Sequence, residues 1–74
     1  MDKKLNRIKV ILADQGLTNK WLAETIHRDP ATISKWVTNA TQPPLETLIE
    51  IARALNVGIE ELVRMPEEQL NGTK

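Results

Sequence analysis

Side chains able to do catalysis or hold a metal are few in this 74-residue chain, and their spacing argues against both roles. There is one histidine, His27, and no cysteine. Disulfides and thiolate zinc sites are thereby ruled out, and a lone imidazole is better assigned to a turn than to a metal. The carboxylates include two adjacent pairs, Glu60-Glu61 and Glu67-Glu68. Residues one apart on a helix point in different directions, so neither pair forms a dyad for general acid–base work. No Ser–His–Asp arrangement, phosphate-cradling glycine loop or metal-ligand spacing is present. The expectation is a protein that is not an enzyme, with no catalytic residue, no cofactor and no metal.

What remains is electrostatic chemistry. The net charge is formally zero, yet the charges are unevenly placed. Residues 1–38 hold Lys3, Lys4, Arg7, Lys9, Lys20, Arg28 and Lys35 against Asp2, Asp14, Glu24 and Asp29, a balance of +3. Residues 39–74 hold Arg53, Arg64 and Lys74 against Glu46, Glu50, Glu60, Glu61, Glu67 and Glu68, a balance of −3. A chain polarised in this way can turn a basic face toward phosphates despite its neutral total.

The elements that must carry these groups are helical. No segment alternates with period two, and Phe and Tyr are absent. Leu5, Ile8, Ile11 and Leu12 predict a first helix over about residues 3–15, ended by Gly16. Thr18 reads as the N-cap of a second helix with Leu22, Ala23 and Ile26 on its apolar side. After a turn at His27, Asp29-Pro30 opens a third helix, with Asp as cap and Pro at the first helical position. Ile33, Trp36 and Val37 share one face of it, and Asn39, tolerant of positive φ, ends it. Pro44 opens a fourth helix with Leu45, Leu48, Ile51, Ala52 and Leu55 at helical spacing, ended by Asn56. Ile59, Leu62 and Val63 mark a fifth, stopped by Met65-Pro66. The predicted architecture is all-α: one helix-turn-helix domain over residues 1–66 and a polar tail over 67–74.

Helices two and three, with a turn of about four residues between them, have the spacing of a helix-turn-helix. The run Leu17-Thr18-Asn19, Leu22-Ala23-Glu24, Ile33-Ser34-Lys35-Trp36, Pro43-Pro44-Leu45-Glu46-Thr47-Leu48 and Ile51-Ala52-Arg53-Ala54-Leu55 resembles the Xre family, the phage-repressor and Cro type. The resemblance spans about residues 5–64 in one register. It implies a compact five-helix, lambda-repressor-like fold and sequence-specific binding of double-stranded DNA by a transcriptional regulator, a repressor. On that resemblance the third helix enters the major groove and base-facing positions fall on Pro30, Ala31, Ser34 and Lys35. Lys35 would donate to guanine O6 and N7, Ala31 would meet a thymine methyl, and Ser34 would read either kind of edge. Phosphate contacts fall on Thr18, Asn19 and Lys20 at the head of helix two, and on Thr32, Thr38 and Asn39.

Where many relatives carry an Arg–Glu ion pair, this chain has Leu12 and Val37, which are expected to touch. A homodimer on a roughly palindromic operator is expected, with half-sites about 34 Å apart. Ile59, Val63 and Met65 are its candidate contact surface. Trp36 is expected in the core and Trp21 at its margin. The alternative is a protein-interaction module, or an antitoxin-like regulator, that keeps the fold with weak or absent DNA recognition. The zero net charge, Pro30-Ala31 at the reading positions and a loop poor in Lys and Arg favour it. A positive stripe of Lys20, Arg28 and Lys35 would favour DNA. No apolar run approaches the roughly 20 residues that span a bilayer, and no signal-peptide pattern opens the chain, so a cytoplasmic protein without membrane contact is expected.

Overall fold

Four residues with positive φ mark where helices stop in the computed structural model, which describes residues 4–64: Gly16 (70°), His27 (58°), Asn39 (65°) and Asn56 (58°). They separate α1 (Ile8–Gln15), α2 (Asn19–Ile26), α3 (Pro30–Val37), α4 (Leu45–Leu55) and α5 (Ile59–Leu62). A left-handed residue after a helix turns the chain and lets the next N–H groups reach the last carbonyls. The Arg28 N–H does so at Ala23 O (3.0 Å) and the Val57 N–H at Ala52 O (3.0 Å).

Each helix contributes a side chain with no exposed surface: Ile8, Leu22, Ile33, Ile51 and Leu62. Around them pack Ile11, Leu12, Ile26, Trp36, Val37 and Leu55, so the expected apolar faces of α2 and α3 meet Ile8, Ile11 and Leu12 of α1 in one core, whereas Leu5, expected on the first helix, lies ahead of it and is 37% exposed. Leu12 and Val37 both lie in it, and Trp21 is half-buried against it. α3 packs on α2 and α1, and α4 on α2 and α5. Gln15 ties the first and fourth helices together, its Nε2 donating to the Leu55 carbonyl at 2.8 Å.

The structure corrects the sequence expectations at three places. α1 begins at Ile8, not near residue 3. Ahead of it the chain is not helical, and Asn6 forms an isolated antiparallel bridge with Val63. The Arg7 N–H donates to Leu62 O at 2.8 Å and the Arg64 N–H to Leu5 O at 2.9 Å. Those long-range bonds hold residues 5–7 away from helical geometry, and Asn6 Oδ1 then accepts from the Ile8 N–H at 3.1 Å as α1 starts.

For the same reason α5 ends at Leu62, ahead of Met65-Pro66: Val63 leaves the helix to make the bridge and is 47% exposed. In α4, Leu45 is 69% exposed. The buried line of that helix runs through Thr47, Ile51 and Leu55, spaced four apart, and this turns Leu45 away from the core.

Candidate nucleic-acid interface

The head of α2 is built by Thr18. Its backbone is extended (φ −112°, ψ 163°), and its Oγ1 accepts from the Trp21 N–H at 3.0 Å. Capping spends only a lone pair, so the hydroxyl hydrogen stays available to an outside acceptor. Asn19 and Lys20 follow, both exposed. Their backbone N–H groups belong to the first turn of a helix, where no preceding helical carbonyl is in position to accept them. Hydroxyl, amide, ammonium and helix dipole thus converge at one end of α2, an arrangement suited to an anionic oxygen.

The turn between α2 and α3 consists of His27, Arg28 and Asp29. Arg28 is turned toward the body of the domain. Its guanidinium donates to Ile26 O at 3.1 Å and pairs with Glu50 on α4 at 3.3 Å. Asp29 opens α3, its Oδ2 accepting from the Ala31 N–H at 3.1 Å and the Thr32 N–H at 3.3 Å. Pro30 occupies the first helical turn, where its missing N–H leaves nothing unsatisfied.

With Ile33, Trp36 and Val37 buried, α3 turns Pro30, Ala31, Ser34 and Lys35 outward, all exposed and related by the i, i+1, i+4, i+5 spacing of one helical face. Thr32 is half-buried beside them. Thr38 continues the outward face, and its hydroxyl donates back to Ser34 O at 3.0 Å. The four base-facing residues proposed from sequence are therefore together on one face, with Thr38 one turn further along it. Thr18, Asn19 and Lys20 form a second group at the head of the neighbouring helix.

A family model for the Cro/C1-type helix-turn-helix DNA-binding domain matches residues 7–68. The chain belongs to this family. The Cro/C1-type domain also superimposes on the crystal structure of a protein from Bacteroides fragilis inferred to be DNA-binding. The TM-score is 0.79 at 47% identity, over 81% of this chain and 97% of that one. No curated protein matches the chain. The resemblance seen in the sequence thus gains independent support at the level of family and fold.

Two features of this Cro/C1-type domain escaped the sequence reading. The first is a buried amide network behind the end of α3. Asn6, 5% exposed, donates from Nδ2 to Trp36 O at 2.9 Å and to Gln42 Oε1 at 2.7 Å. Asn39 is part of it: its Oδ1 accepts from the Leu5 and Asn6 N–H groups, and its Nδ2 donates to Asn6 O. Contacts between amide side chains and partners 30 to 36 residues away carry no periodic signal that could have announced this.

The second is the neutralisation of Arg28. Counted from sequence it belongs to a positive stripe with Lys20 and Lys35, whereas its charge faces Glu50. Among the described residues, no helix is long and apolar enough to cross a membrane.

Proposed function

We propose that this protein is a sequence-specific regulator of transcription, a repressor, that inserts α3 into the major groove of double-stranded DNA. The observation that carries this reading is the exposed face Pro30, Ala31, Ser34 and Lys35 on a helix whose other side is locked by Ile33, Trp36 and Val37, in a Cro/C1-type domain. Lys35 supplies an ammonium to guanine O6 and N7, the Ala31 methyl meets a thymine methyl, and Ser34 donates or accepts. Pro30 offers shape only.

Phosphates are held by the Thr18 hydroxyl, the Asn19 amide and Lys20 on one side, and by Thr32, Thr38 and Asn39 on the other. Asn39 has one Nδ2 hydrogen left for this, since the other bonds Asn6 O. A homodimer on a roughly palindromic site, with half-sites about 34 Å apart, follows from the two-fold logic of such motifs. Of its candidate contact surface, Val63 is exposed and Ile59 is half-buried against the core, while Met65 lies outside the described residues. Such a regulator works in the cytoplasm, where its operator is, with the domain taken as residues 1–66 and the tail as 67–74.

The test is selection of duplexes from a random pool at about 150 mM salt, a physiological ionic strength, with wild type and Lys35→Ala. A two-fold motif, with preference lost at one base pair per half-site in the variant, supports the reading. A folded protein that enriches nothing favours the second reading, a module or antitoxin-like regulator that binds a protein partner. The tying of Arg28 to Glu50 and the absence of any side-chain donor on Pro30 and Ala31 speak for that alternative.

A further inference from the structure

Asp29 holds both capping bonds of α3 with one oxygen. Its Oδ2 accepts from the Ala31 and Thr32 N–H groups, while Oδ1 has no hydrogen-bond partner among the described residues. The residue is exposed, and the neighbouring cation, Arg28, is engaged by Glu50 at 3.3 Å. The carboxylate is therefore oriented by two backbone bonds, uncompensated by an ion pair, and half unused. Neither of the next two residues could offer a polar side chain in its place, since Pro30 carries only its ring and Ala31 only a methyl.

We propose that Asp29 is a base-specificity residue, its Oδ1 accepting a hydrogen bond from the N4 amino group of a cytosine in the major groove. The inference rests on the docking of α3 proposed above, because the first residues of a recognition helix are those that meet base edges. An ionised carboxylate only accepts hydrogen bonds. Guanine presents two acceptors there, O6 and N7, and thymine presents O4 and a methyl, so both repel it. Adenine sets its N7 acceptor beside its amino group, whereas cytosine offers a donor alone.

Because the cap already fixes the side chain, little rotamer freedom is lost on contact. The negative charge also disfavours close phosphates wherever no amino group answers it. Asp29 thus acts by penalising wrong sites more than by strengthening the right one.

The test uses the full chain, with Asp29→Ser and Asp29→Asn, both competent N-caps that leave α3 formed. Each protein is put through duplex selection. Each is then titrated against the selected operator and against operators changed at single base pairs. Wild type is expected to enrich cytosine at one position per half-site and to lose about tenfold in affinity when that pair alone is changed.

Asp29→Ser is expected to flatten the preference at that position and leave the others intact. Asp29→Asn is expected to move it toward adenine, whose N6 and N7 suit an amide. Variants that melt like wild type and return an unchanged motif would reduce Asp29 to a cap and overturn the inference while leaving α3 docking in place. A wild-type protein that enriches no motif sinks the docking reading and this inference with it. If a variant fails to fold, the single-pair operator series on wild type still tests the proposal: a selected motif in which changing a C·G pair costs no affinity at any position overturns it while leaving α3 docking in place.

Discussion

The side-chain amide of Asn39 pairs with the main chain of Asn6 as a neighbouring strand would. Its Oδ1 accepts the Asn6 N–H at 2.9 Å and its Nδ2 donates to the Asn6 carbonyl at 3.2 Å. The same oxygen also accepts from the Leu5 N–H at 2.8 Å. All this happens with the Asn39 backbone at φ 65°, so the position asks at once for left-handed tolerance and for an amide. Glycine meets the first demand and alanine neither. Asn39→Gly should therefore lower unfolding stability by about 1–3 kcal/mol through the lost hydrogen bonds. Asn39→Ala should lose roughly 1 kcal/mol more to backbone strain. Urea denaturation of the three proteins orders them, and a glycine variant as stable as wild type would show that the clasp contributes nothing to the fold.

Asn6 is the other half of that arrangement and is the more deeply placed. Truncation to alanine leaves the Ile8 N–H without its acceptor in a buried setting and takes one of two donors from the Trp36 carbonyl, which keeps the Asn39 N–H at 3.1 Å. A buried polar group left without a partner costs about 1–3 kcal/mol, so Asn6→Ala should rank among the most destabilising single polar substitutions in the domain. The start of α1 should fray with it. Amide hydrogen exchange at Ile8 should quicken by more than the global loss explains, and exchange that tracks the global change alone would count against a local role.

Much of the domain was legible because local chemistry and the tertiary answer coincide. Thr18 and Asp29 cap the helices they precede, and His27, Asn39 and Asn56 adopt the positive φ that their places between apolar stripes suggested. Ile33, Trp36 and Val37 face inward as their spacing requires, and this fixes which side of α3 is free. The errors fall where partners distant in sequence decide. Leu5 extends an apolar period that would have carried α1 back to residue 3, but pairing with residues 62–64 is worth more to that segment than another helical turn. Arg28 counts as a free cation in any one-dimensional charge map, and only the packing of α4 beside the turn brings Glu50 to it. The roles of single residues toward DNA depend on a molecule outside the chain, and neither periodicity nor packing encodes them.

Positive φ gives a prediction with opposite signs at two helix ends. Gly16 has φ 70° and open space where a Cβ would stand, so Gly16→Ala meets no clash and is penalised by conformation alone, by about 1 kcal/mol. His27 already carries that penalty at φ 58°, and its side chain is exposed. His27→Gly should relieve it, offset partly by the greater freedom of glycine in the unfolded chain. A net gain of about 0.5 kcal/mol corresponds to roughly 2–4 °C in a domain of this size. Thermal melts of both variants test the pair, and a shift of the same sign in both would show that backbone strain does not dominate at one of the two sites, His27 if both fall and Gly16 if both rise.

Lys20 and Arg28 are both basic residues of the helix-turn-helix, and the structure separates their expected contributions to DNA binding. Lys20 is exposed at the head of α2, beside the free hydroxyl hydrogen of Thr18. Arg28 is spent on the Ile26 carbonyl and on Glu50, in a pair whose side chains are 38% and 48% exposed. Each phosphate neutralised steepens the dependence of log K on log salt by about 0.9. Lys20→Ala should therefore make that slope shallower by about 0.9, whereas Arg28→Ala should leave it nearly unchanged. Glu50→Gln should steepen the slope by freeing the guanidinium, and should lower stability by less than about 1 kcal/mol, as the loss of an exposed ion pair does. Fluorescence titrations across a series of salt concentrations measure all three. A slope in Arg28→Ala as shallow as that of Lys20→Ala would mean that Arg28 exchanges Glu50 for a phosphate when DNA arrives, and the ion pair would then be a latch on the free protein, not a fixed strut.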